Sequence, residues 1–186
     1  GMLYFPLLGA LWKSDGSETG TVLVKAETKE AGSVPRYFTD FKGQVYFSAD
    51  DGLHGSELWK SNGTGEGTAL VKDLHPDHSS QPFFLTSAGS NLFFFADDGI
   101  HGPEPWKSDG TEAGTTLVRD INPEPGRGTS FLGPDYKPIG IKNTLYFIAN
   151  NGIQGTSLWR SSGAWWNTML VKDPNRFLIN FLNNIG

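Results

Sequence analysis

An all-β propeller of four blades, each a four-stranded antiparallel sheet of 47 to 53 residues, is the fold predicted by this 186-residue sequence. Three observations predict it. Trp12, Trp59, Trp106 and Trp159 are separated by 47, 47 and 53 residues and sit in one recurring phrase. The phrase reads LWKSDGSETGTVLVK (11–25), LWKSNGTGEGTALVK (58–72), PWKSDGTEAGTTLVR (105–119) and LWRSSGAWWNTMLVK (158–172), aligned without a gap. Finally, 24 glycines and 13% aromatic residues suit short strands joined by tight turns.

Each copy divides into the same elements. An opening strand is written VYFSA (45–49), LFFFA (92–96) and LYFIA (145–149), rich in residues that fit a pleated, half-buried surface. The apolar stretch from Met2 to Trp12 aligns with it; lacking a basic leader and containing Pro6, it reads as a strand rather than a signal peptide. The turn that follows, ADDGLHG (49–55), ADDGIHG (96–102) or ANNGIQG (149–155), carries the Asp-Gly or Asn-Gly pair that a hairpin favours. The Trp strand comes next. After it a second turn, SDGTEAGT in its fullest form (108–115), is expected to be held by side-chain bonds from Asp15, Asn62 and Asp109 to backbone N–H groups. A third strand, such as TTLVRD (115–120), leads to a fourth, such as PFFLTSAG (82–89), which closes the copy. The single domain 1–186 thereby divides into blades at 2–41, 42–88, 89–141 and 142–186, with FLINFLNNI (177–185) as the last strand. Six extra residues in the third copy, around GPDYKP (133–138), predict a protruding loop.

One such sheet cannot bury both of its faces, so the copies are expected to stack, with each Trp and its neighbouring Leu packing in opposite directions. Burial of roughly 150–250 Å² per Trp at about 25 cal/mol/Å² stabilises by ~4–6 kcal/mol, a sufficient reason for the repeated Trp to be structural. Stacking on a sugar is the alternative for the same rings. Four blades either close as a disc or join a second chain in an eight-bladed ring, which makes a homodimer one expectation.

The phrase ELW-x-x-DGT-x-x-GT resembles the bacterial tandem-repeat family named for that signature. The third copy is the nearest match, with Glu104, Trp106, Asp109, Gly110, Thr111, Gly114 and Thr115, and Pro105 in place of Leu. Ala10 replaces Glu in the first copy and Ser162 replaces Asp in the fourth. The resemblance implies a propeller-like repeat in a surface or secreted protein, hence an extracellular or cell-surface location, and no assigned chemistry.

Hairpin alternation puts the ADDG turns and the connections leaving the third strands on one face of the stack. All four histidines, His54, His75, His78 and His101, fall there with Asp50, Asp51, Asp77, Asp97 and Asp98. Imidazoles and carboxylates are ligands for a transition metal, and aspartates alone for calcium; an ADDG turn equally needs no metal, and no cofactor is expected. Trp165 and Trp166 replace turn residues in the fourth copy, either as an exposed contact surface or folded back over the sheet.

A net charge of −5 opposes broad attachment to nucleic acid or anionic lipid, and no apolar run reaches the roughly 20 residues of a membrane span. With no cysteine there is no thiolate nucleophile, and no phosphate-loop, nucleophile-elbow or zinc-protease motif occurs. The sequence therefore reads as a non-enzymatic binding or interaction module for a carbohydrate or a protein surface. Two alternatives stand: a glycoside-cleaving or other hydrolytic propeller using loop carboxylates such as Asp50 and Asp97, and a purely structural spacer.

Overall fold

The computed structural model describes residues 1–25, 34–124, 128–129 and 137–172. They form fifteen strands: β1 (Leu3–Leu7), β2 (Ala10–Ser14), β3 (Val22–Lys25), β4 (Arg36–Phe41), β5 (Gln44–Asp50), β6 (Ser56–Ser61), β7 (Thr68–Lys72), β8 (Phe83–Ala88), β9 (Asn91–Asp97), β10 (Pro103–Ser108), β11 (Thr116–Leu117), β12 (Ile139–Ile141), β13 (Thr144–Asn150), β14 (Thr156–Ser161) and β15 (Met169–Lys172). Among these residues there is no α-helix, and a single 3-10 turn spans Trp165–Asn167. The molecule is all-β, built from four antiparallel sheets in the orders β1-β2-β3, β4-β5-β6-β7, β8-β9-β10-β11 and β12-β13-β14-β15.

Among the described residues the expected strand runs recur, the run at 115–120 shortened to Thr116–Leu117, but the fourth strand of each copy is displaced. The run at 82–89, expected to close the second copy, supplies β8, which pairs with β9 of the following sheet; β4 and β12 behave alike. The sheets are thus shifted by one strand from the expected copy boundaries, and the first has three strands among the described residues. Chain connectivity explains the choice. Two residues, such as Lys42-Gly43, join β4 to β5, whereas a ten-residue segment separates β7 from β8, and a short hairpin closes at far lower entropic cost. FLINFLNNI and most of GPDYKP lie outside the described residues.

The sheets stack in sequence order through three apolar layers. Leu11 and Val24 of the first sheet meet Val45, Phe47 and Trp59 of the second. On its other side the second sheet presents Tyr46, Leu58 and Val71 to Leu92, Phe94 and Trp106 of the third, and Phe93, Phe95 and Val118 then meet Leu145, Phe147 and Trp159 of the fourth. Trp59, Trp106 and Trp159 thus pack toward the preceding sheet and the adjacent Leu58 toward the following one, as alternation along a strand requires. The leading strands β4, β8 and β12 make the closest approaches between sheets, so the sheets fan outward from that edge.

Basic side chains lock the layers. Lys25 Nζ donates to Thr68 O at 3.1 Å, Lys72 Nζ to Thr115 O at 3.0 Å and an Arg119 guanidinium N–H to Thr168 O at 2.6 Å. Lys25 also lies 4.7 Å from the Trp59 ring centre and Arg119 5.8 Å from that of Trp159. Lys13 and Lys60 reach Gly63 O and Gly110 O in the next sheet's turn, each at 2.8 Å.

Candidate functional site

The loop face is built from turns that hold themselves rigid. In each of the three ADDG-type turns the first acidic or amide residue caps a glycine: Asp50 Oδ1 accepts from Gly52 N at 2.7 Å, Asp97 from Gly99 at 2.8 Å and Asn150 from Gly152 at 2.9 Å. The second residue accepts two more backbone N–H groups, Asp51 from Leu53 and His54, Asp98 from Ile100 and His101, Asn151 from Ile153 and Gln154. Its remaining oxygen then meets the ring: His54 Nδ1 lies 2.9 Å from Asp51 Oδ2, and His101 Nδ1 2.7 Å from Asp98 Oδ2. In the fourth sheet Asn151 Nδ2 donates to Gln154 Oε1 at 2.7 Å, an uncharged version of the same clasp. The aspartates and histidines at these positions are therefore turn locks.

Their electrostatics follow from that geometry. Burial pushes the Asp51 and Asp98 carboxyls up, but the N–H donors and the facing imidazole outweigh it and hold both below their ordinary value. The hydrogen bonds that their rings donate to Asp51 and Asp98 raise His54 and His101 above theirs, against partial burial.

The second histidine group is only partly drawn into this system. His75 packs over the next sheet's turn, where a Cβ on Gly99 would fall 2.6 Å from its Nε2, and its ring meets that of His78 edge-on at 5.2 Å. Asn122 occupies the matching place over Gly152. Asp77 and His78 are exposed, and with His54 they line an open groove of about 400 Å³ that also includes Leu53, Pro76 and Gln81. Asp50 lines a second groove of about 340 Å³ with Arg36, Tyr37, Gln81 and Phe83. Tyr37, 48% exposed at φ +58°, sits at a register shift of β4, a bulge that turns its ring outward. Among the described residues no three His, Asp or Glu side chains converge as a metal-ligand set.

Two kinds of residue escaped the sequence reading. Glu57 and Glu104, the Glu of the repeated phrase, are fully buried beneath this face. Glu57 accepts from Leu74 N at 3.1 Å, Ser80 N at 2.8 Å and Ser80 Oγ at 2.6 Å; Glu104 accepts from Ile121 N at 3.0 Å, Asn122 N at 3.1 Å and Thr129 Oγ1 at 2.6 Å. Each carboxylate ties down the connection leaving its sheet. Burial pushes Glu104 up to about 7 despite those three donors, with Asp120 nearby adding to the rise, and Glu57 is raised for the same reason. Ala10 and Ser157 hold the position in the outer sheets, so the device belongs to the middle two. Leu53, Ile100 and Ile153 are the second kind, 84%, 70% and 83% exposed at the tips of the three locked turns. Their signal in the sequence was an aliphatic residue repeated inside an otherwise polar turn.

The opposite face carries the second turn. Asp15, Asn62 and Asp109 accept from the backbone N–H two residues on, at 2.9 to 3.0 Å, and from the hydroxyl of that same residue. This is the expected role. A Cβ at Gly20, Gly67 or Gly114 would land on that Asp or Asn side chain, so glycine is required there for space. In the fourth copy the pair is exchanged: Ser162 stands for Asp, Asn167 for Gly, and Asn167 Oδ1 accepts from Ala164 N at 3.0 Å. Trp165 and Trp166 on this turn are 66% and 69% exposed, their rings edge-on at 6.1 Å, which overturns the folded-back alternative. Trp59, Trp106 and Trp159 are buried and Trp12 half-buried, so the first three offer no face to a sugar.

No family model matches the chain, and no curated protein matches it either.

Proposed function

We propose that the chain is a non-enzymatic binding module of propeller type whose loop face seats a protein partner. The carrying observation is the exposure of Leu53, Ile100 and Ile153 at equivalent tips, each on a turn locked by three or more side-chain bonds. Water-exposed aliphatics held without freedom to collapse suit contact with another apolar surface, because little conformational entropy is lost on docking. The successive stacking of the sheets and the approach of their leading strands support the propeller geometry. The resemblance of the repeat to surface and secreted proteins is the one ground for proposing a partner outside the cell.

The aspartates of the hydrolytic alternative, Asp50 and Asp97, are engaged as glycine caps, which favours binding over bond cleavage. A carbohydrate reading has one observation in its favour, the outward Tyr37 ring beside Arg36, Asp50 and Gln81, a polar groove with an aromatic platform. The test compares wild type with an L53S/I100S/I153S variant and a Y37A variant, each immobilised and exposed to cell-envelope proteins and to a glycan array. Protein capture that survives Y37A and disappears in L53S/I100S/I153S is expected. Glycan binding abolished by Y37A would replace the protein reading with the carbohydrate one, and the absence of both would leave the spacer.

A further inference from the structure

The three buried layers inside the stack are copies of one interface, and the two ends of the stack expose its two halves. On the outer side of the first sheet, Leu3, Trp12 and Leu23 hold the register positions of Val45, Trp59 and Leu70, which pack beneath the preceding sheet. Leu3 is 63% and Leu23 47% exposed, where Val45 is 6%. On the outer side of the fourth sheet, Ile141, Tyr146 and Val171 hold the positions of Phe41, Tyr46 and Val71, all buried against the next sheet. Val171 is 47% exposed, whereas Val24, Val71 and Val118 are 7%, 5% and 2%. Among the described residues no apolar cluster joins the fourth sheet to the first.

The polar locks are set up in the same way. Lys172 holds the place of Lys25, Lys72 and Arg119, whose acceptors are Thr68 O, Thr115 O and Thr168 O; the corresponding acceptor in the first sheet is Thr21 O. Arg160 holds the place of Lys13 and Lys60, whose acceptors in the next sheet's turn correspond to Gly16 O. The first sheet thus offers the Trp ring and the carbonyls, and the fourth offers the aliphatic layer, with Arg160 and Lys172 at the register positions of the locking cations.

We infer that the fourth sheet of one chain packs on the first sheet of a second copy, through the same side-chain layer that is buried three times within the chain. The contact is head-to-tail. Two copies joined at both ends form a closed ring of eight sheets, within the usual four to eight blades, and closure removes both apolar ends. This goes beyond the loop-face reading and uses a different surface, so either can fail without the other.

The test is the mass of the intact chain by light scattering across a concentration series, with L3E and I141E variants. Leu3 and Ile141 are more than half exposed, so neither substitution should unfold the chain, and unchanged far-UV circular dichroism checks this. Wild type is expected at twice the 20.3 kDa chain mass, with each variant at the chain mass. Three results would overturn the inference: a monomeric wild type at tens of micromolar, a mass that keeps growing with concentration, or a dimer untouched by both variants. The last would move the contact to another surface, Trp165 and Trp166 first. W12F with L23A, which thins the Trp layer without adding charge, should weaken the dimer at least tenfold and serves if either glutamate variant misfolds.

Discussion

The exchanged turn of the fourth copy permits a double-mutant cycle whose outcome follows from the structure. Asp109 Oδ1 accepts from Thr111 N at 2.9 Å and from Thr111 Oγ1 at 2.7 Å. At about 0.5–1.5 kcal/mol for each bond, with solvent near, D109S should cost about 1–2 kcal/mol. G114N places a Cβ on the Asp109 carboxylate, which must leave and forfeit the same two bonds, for a similar loss. Together, however, D109S and G114N rebuild the turn of the fourth copy, where Asn167 Oδ1 caps the N–H at the position of Thr111 and Ser162 leaves room for it. The double variant should therefore lie within about 0.5 kcal/mol of wild type, against about 2–4 kcal/mol if the two losses added, a favourable coupling of about 1.5–4 kcal/mol. Urea unfolding followed by circular dichroism supplies the three differences. Losses that simply add would show that the two positions do not share one space, and the argument for glycine at 20, 67 and 114 would fall with them.

Two further outcomes rest on the core and on the buried carboxylates. Trp59→Ala removes a ring that is 7% exposed and packed between two sheets beneath Lys25, so it should cost about 3–5 kcal/mol in the same assay; a loss under 1 kcal/mol would contradict its place in the layer. Glu104 is raised to about 7 from an ordinary 4.5, so the folded chain binds its proton the more tightly. Its contribution is most favourable below 4.5 and is lost as pH rises through about 7, by at most about 3 kcal/mol; raised His54 and His101 act in the same direction above 6.5. The urea midpoint should fall from pH 5 to pH 8, and Glu104→Gln should flatten that fall while lowering the midpoint at pH 5, since a carboxamide leaves one of three donors unmatched. An unchanged slope in the variant would place the titration elsewhere.

The sequence by itself determined the repeat, the strand runs, the opposed packing of Trp and Leu, and the capping by Asp15, Asn62 and Asp109. All of these are local: they follow from alternation along a strand and from side chains reaching two residues along their own backbone, so a period of 47 suffices to expose them. Which sheet the run at 83–88 joins was settled by hairpin closure competing with a longer connection, a comparison of loop entropies that no single phrase displays. The histidines were legible as a group on one face, yet their work was not. Asp51 and Asp98 use them within their own turns, His75 rests on the neighbouring sheet's Gly99, and only packing decides between those fates. Glu57 and Glu104 make the point most sharply. A Glu beside Leu and Trp in a strand reads as solvated until the connection folds back over it, and its three donors all come from residues at least 17 positions away. Local chemistry fixed the parts, whereas exposure, at the turn tips and at the two ends of the stack, exists only once the sheets are arranged in space.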